Sequence, residues 1–114
     1  MVLILPEVRQ YFYELSHILY EKDYFSFMET SERYVEELVN DIKKKLPTKR
    51  HRPAPKHYDK YGKGMYYAAF TKNKRTTWYA FFTKYAEKGE TIYLVRYIGN
   101  NHTEAHHLYD GVYE

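Results

Sequence analysis

Three histidines and a tyrosine crowd the end of this chain: His102, His106, His107 and Tyr109. Histidine alone among these side chains titrates near neutral pH, so such a cluster suits proton movement. Six residues before His102 stands Arg96, the one charge inside the strand-like run Ile92-Tyr93-Leu94-Val95-Arg96-Tyr97-Ile98. A guanidinium there can clamp a phosphate through two parallel hydrogen bonds. A structural role is equally open to it, an ion pair with a helix acid such as Glu37. In strict alternation Arg96 shares a side with Ile92, Leu94 and Ile98. The tail spacing His102-x3-His106-His107 also resembles zinc ligation, but Glu104 is poorly placed as a further ligand, so no metal and no other cofactor is expected.

A second chemical signal is the distribution of charge. The net charge of +3 conceals two unlike halves. Residues 1–42 carry nine acids against three bases, whereas residues 43–75 carry twelve bases against Asp59 alone. Such a basic excess repels itself unless a polyanion or an acidic partner is near. Lys49, Arg50, His51, Arg52, Lys56 and His57 supply it first, then Lys72, Lys74 and Arg75. Lys49, Arg50, Arg52, Lys74 and Arg75 are the candidates for holding RNA phosphates. They neighbour segments full of tyrosine and phenylalanine, and rings beside cations suit unpaired RNA. Most of the fifteen tyrosines are nonetheless expected to be sheet and core filler. There is no glycine-rich phosphate loop, nucleophile elbow or carboxylate pair, which argues against the corresponding enzyme classes.

The elements that must position these groups follow from spacing. The 114 residues suffice for one domain, and 44% apolar with 29% charged residues reads as globular. No cysteine is present, which points to a reducing, cytoplasmic setting. The four apolar residues Val2 to Leu5 meet Pro6 and Glu7 at once, so neither a signal peptide nor a membrane span is expected. Those four form a short strand. Pro6-Glu7 opens a helix whose apolar stripe is Val8, Tyr11, Phe12, Leu15, Ile18 and Leu19. Ser26 with Glu29 predicts a capping box for a second helix, striped by Met28, Val35, Leu38, Val39, Ile42 and Leu46. Lys43 to Lys45 suit its negative end, and Pro47 stops it. Residues 47–64 read as a basic loop. Three strands follow, over 65–71, 76–85 and 91–98, joined by turns at 72–75 and 87–90. Residues 100–114 form a tail. The expected class is α+β, an N-terminal strand and an αα-hairpin packed on one face of a small antiparallel sheet.

This order resembles the RelE/ParE superfamily of bacterial toxins. Leu3-Ile4-Leu5-Pro6-Glu7-Val8 is similar to the opening strand and proline-led helix of that family. Lys49-Arg50-His51-Arg52-Pro53 resembles its basic stretch after the second helix. Ile92 to Gly99, followed by Asn100-Asn101-His102, resembles its final strand and polar tail. Leu5 replaces the usual serine cap, and Tyr66, Ala68 and Tyr79 stand where RNase members carry strand bases. The resemblance implies the toxin of a type II toxin–antitoxin pair with a cognate antitoxin as partner. The implied activity is either ribosome-dependent, metal-free mRNA cleavage or ParE-type inhibition of DNA gyrase without chemistry. A non-toxic RNA- or protein-binding module on the same fold is the third possibility. For cleavage, the resemblance implies an acid or base near the C-terminus, which selects His107 and His102, with Tyr109 behind them and Arg96 on the phosphate. If RNA is held by the basic segment, each neutralised phosphate releases counterions. Binding of a short RNA should therefore weaken steeply between 50 and 200 mM salt, by about an order of magnitude or more. Salt-insensitive affinity in a filter-binding titration would contradict this.

Overall fold

The structure is a computed structural model, and it describes residues 1–102. Strand β1 spans Val2–Ile4, helix α1 Pro6–Glu21 and helix α2 Met28–Lys45. A two-residue strand β2 (Arg52–Pro53) precedes the long strands β3 (Tyr66–Asn73), β4 (Thr76–Glu87) and β5 (Glu90–Asn100). They form one five-stranded sheet in the order β1-β5-β4-β3-β2. No helix among the described residues is long and apolar enough to cross a membrane.

Both helices lie on one face of the sheet, as their stripes require. Val8, Phe12 and Leu15 of α1 meet Val35, Leu38 and Ile42 of α2 over Ala68, Phe70, Trp78, Ala80, Phe82, Val95 and Ile98. The helices approach closely through small residues: Ser31 Oγ donates to the carbonyl of Ser16. Helix α1 starts at Pro6 with Leu5 as an uncapped cap residue, as expected. Helix α2 departs from expectation. Its cap is Phe27, without a side-chain bond, and the Phe27 carbonyl receives the amides of Thr30 and Ser31. The predicted Ser26–Glu29 box is therefore not used.

The sheet is mixed rather than wholly antiparallel. Strand β1 does pair at an edge, but it runs parallel to β5, with Leu3 opposite Leu94. Parallel neighbours need a long connection, and here the whole of the intervening chain supplies it. The three long strands form the expected antiparallel meander. The predicted loop 47–64 also holds more order than its composition announced. Arg52–Pro53 pairs with Tyr66 and Tyr67, where an edge position tolerates the missing proline N–H. Residues Lys56–Tyr61 form a 3₁₀ segment.

That segment closes the second face of the sheet. Tyr58, fully buried, stacks on Phe81 at 4.3 Å, within a small core of Met65, Tyr67 and Tyr79. Tyr61 lies flat on Tyr97, with centroids 4.0 Å apart and planes 10° apart. Strand β4 is consequently buried on both sides from Thr77 to Thr83. Tyr58→Ala should cost about 3 kcal/mol in urea unfolding, the usual penalty for emptying a large buried ring site. Phe27→Ala, at a 70% exposed ring, should stay within about 0.5 kcal/mol. Equal effects would mean that the second face contributes no core.

Candidate nucleic-acid site on the sheet

The cover on the second face ends at Gly62, and beyond it the described residues leave the sheet open. Strand β5 carries a bulge there: Phe81 pairs with Tyr97, but its neighbour Phe82 pairs with Val95, leaving Arg96 as the extra residue. A bulge puts successive residues on one side and bends the strand. Val95 and Ile98 consequently join the helix-side core, while Arg96 emerges on the other side with Tyr97. Strict alternation had grouped Arg96 with Ile92, Leu94 and Ile98. The register keeps Ile92 and Leu94 beside it, opposite Tyr85 and Thr83, and sends Ile98 to the other face.

Among the described residues, Arg96 is held by hydroxyls rather than by a carboxylate. Its Nε donates to Thr83 Oγ1 at 3.1 Å and its terminal Nη2 donates to Tyr85 Oη at 2.8 Å. The Glu37 pairing does not form; Glu37 faces Lys72 at 3.8 Å. The backbone of Gly62 passes directly over the arginine stem. A Cβ at that position would fall 2.7 Å from Arg96 Cδ, so glycine is needed for the approach. Hydrogen bonds from Thr83 first, and from Arg96 second, hold the Tyr85 phenol below the usual tyrosine range. Tyr85 is 46% exposed, and Leu3, 45% exposed, lies on the same open side two strands away. The arrangement is a solvent-accessible guanidinium joined to an acidified phenol, with an aliphatic strip beside it. Chemically it can bind an anion and exchange a proton next to it.

The other predicted groups lie elsewhere. Arg52 pairs with Tyr67 in the cross-strand row that continues through Phe81 to Tyr97, three strand spacings or about 14 Å along. The Tyr58–Tyr61 cover stands between Arg52 and Arg96. Arg50 is exposed before β2, and Lys49 turns to the helix side, its ammonium 4.9 Å from the Phe70 ring. Lys74 and Arg75 form the β3–β4 turn, about 23 Å along β4 from Thr83. His102 sits at that far end, its Nε2 3.3 Å from Thr76 Oγ1. The predicted basic residues thus form separate groups: the β2 edge, the β3–β4 turn with His102, and Arg96 alone. His107 and Tyr109 lie outside the described residues. His51, read as part of the basic loop, instead packs its ring 4.7 Å from that of Phe82 and meets the Leu46 carbonyl at 2.8 Å.

Sequence reasoning missed Thr83 and Tyr85. A signal existed: β4 has apolar residues on both faces from Trp78 to Phe82 and turns polar at Thr83, which marks where one cover stops. Comparison with protein-family models, with curated proteins and with solved structures gives no match to this chain.

The hydroxyl bonds make a direct expectation. With the tyrosine ring labelled for NMR, Tyr85 should titrate below the ordinary value of about 10. Thr83→Val should move its midpoint upward, and Arg96→Ala should move it upward as well. A midpoint unmoved by either change would show that the Arg96–Thr83–Tyr85 contacts do not persist in solution.

Proposed function

We propose that this chain is the toxin of a type II toxin–antitoxin pair and that it cleaves mRNA on the open part of its sheet, in the ribosome-dependent manner of RelE. The observation that carries this reading is the hydrogen-bonded Arg96–Tyr85 pair on an accessible sheet face. The shared element order, with both helices withdrawn to the opposite side, supports it as well. In the reaction, a ribose 2′-hydroxyl attacks the neighbouring phosphorus. A new O–P bond forms, the bond to the 5′-oxygen breaks, and the products are a 2′,3′-cyclic phosphate and a 5′-hydroxyl. Arg96 holds the non-bridging oxygens and offsets the charge that builds on them. Tyr85 exchanges one of the two protons that must move, its acidity favouring that role. The sequence offers His107 for the other, with Tyr109 to orient it. His102 is held against Thr76 at the far end and has no part in the step. Leu3, Ile92 and Leu94 give the antitoxin an apolar surface to cover beside the cation.

A second reading rests on the dispersal of the basic groups. Arg50, Arg52, Lys74 and Arg75 do not converge on Arg96, which favours non-enzymatic, ParE-type capture of DNA gyrase over RNA threading. The two readings separate in one experiment. Induced expression should arrest growth, and purified protein with ribosomes should cut mRNA while leaving gyrase supercoiling intact. Arg96→Ala should lower the cleavage rate about a hundredfold or more, the usual cost of one lost charge stabiliser. Tyr85→Phe should lower it as well, with folding unchanged in both. Because two protons move, the rate should follow a bell in pH, and Tyr85→Phe should remove its alkaline limb, which lies below about pH 10 because the phenol ionises earlier than usual. Full cleavage by both variants sinks the proposed site; inhibition of gyrase without cleavage replaces the first reading with the second.

A further inference from the structure

On the helix side of the sheet, away from Arg96, lies a separate hollow. It forms where the connection between α1 and α2 meets the ends of β4 and β5, and it encloses about 530 Å³. Hollows of this size accept a small organic molecule. Its inner wall is aromatic. Trp78, 2% exposed, donates its indole N–H to Tyr34 Oη at 2.9 Å, and Tyr34 packs on Phe25 at 5.2 Å. Tyr24 lines the same hollow, yet its ring is 67% exposed. The fold gains little from an aromatic ring left largely in water, whereas a flat guest between Tyr24 and the inner wall would cover it.

Charge narrows the guest further. The first 42 residues hold nine acids against three bases, but none of those acids lines the hollow. Among the described residues, its basic lining groups are Lys22 and His102. An exposed aromatic ring next to a lysine, in a lining where no described acid stands, suits a planar heterocycle bearing an anion. The geometry points to a nucleotide site, in which a nucleobase packs between Tyr24 and the Phe25–Tyr34 lining in front of the buried Trp78, while its phosphate meets Lys22 and His102. The site is independent of the cleavage reading, since it uses no residue of the Arg96 face. Its ligand is either a free mononucleotide or an unpaired nucleotide in a strand.

Trp78 is the single tryptophan of the chain, so the hollow carries its own reporter. The four ribonucleoside 5′-monophosphates and a short single-stranded RNA would be titrated into the full-length protein. Fluorescence excited at 295 nm and the indole N–H resonance of Trp78 would be followed together. Saturable change in both signals is expected for at least one probe. Response to the monophosphates identifies a free-nucleotide site, and response to the strand alone identifies a strand contact; each outcome supports the proposal. Tyr24→Ala and Lys22→Ala should each weaken binding about tenfold. Both positions are exposed, so the fold should survive. Tyr13→Ala, an exposed tyrosine outside the hollow, should change nothing. Ribose 5-phosphate binding as tightly as a nucleotide would overturn the proposal, because the base would then be irrelevant. Absence of saturable change in either signal with every probe would overturn it too, as would binding indifferent to Tyr24 and Lys22.

Discussion

The structure depends on the burial of β4 on both of its faces. Trp78, Ala80 and Phe82 point to the helices, and Tyr79 and Phe81 point the other way, all 2% exposed or less. A central strand of this kind needs two covers, and the chain has only one pair of helices. The segment 54–65 provides the second cover with rings instead of a helix, through Tyr58 on Phe81 and Tyr61 on Tyr97. A 3₁₀ segment is short. It shields β3, the middle of the sheet and β5 at Tyr97, but stops before Ile92, Leu94 and β1. Everything reactive on that face lies where the second cover ends.

The bulge in β5 follows from the same demand. Val95 and Ile98 both serve the helix-side core, although a regular strand would place residues three apart on opposite faces. Inserting one residue reconciles them, and Arg96 is that residue. An arginine can occupy it because Thr83, the last buried residue of β4, and Tyr85, just past it, provide hydroxyl acceptors. Gly62 provides clearance for its stem. Two of the guanidinium's donors meet hydroxyls, which carry no charge to cancel its own. A carboxylate partner such as Glu37 would have neutralised it.

These relations mark how far the sequence could be read. Stripes such as Val8-Phe12-Leu15 and Val35-Leu38-Ile42 carry a helical period of their own, and both helices stand where that period put them. The meander was equally legible from its aromatic runs and turns. Long-range partnership was not. Three residues of β1 contain no information about direction, and parallel pairing with β5 emerges only from the whole topology. Strand β2 was hidden by its proline, and the second cover by the prolines and glycines around Tyr58 and Tyr61. The cap of α2 was misread because a Ser-x-x-Glu pattern lay one residue before the true start, where tertiary packing of Ser31 against α1 sets the helix register. For the candidate site, Arg96 was visible as an isolated charge in an apolar strand. Its partners were not, because a bulge changes which residues face it and leaves no local mark in composition.

The partition of charge acquires a physical meaning from this architecture. The acidic residues of α1 and α2 belong to the layer on one side of the sheet, and Arg96 opens on the other. At physiological salt a charge is screened within about 8 Å, less than the thickness of a helix layer. A polyanion approaching the open face therefore meets Arg96 largely without repulsion from the helix acids. Approach from the helix side meets those acids first, except at the hollow beside Lys22 and His102, which no acid of the helical half lines. One small chain thus keeps two surfaces open to anions despite an acidic helical half. The sheet achieves this by separating Arg96 from the helices, and the helical connection by lining the hollow with Lys22 and Tyr24 rather than with Glu21 or Asp23.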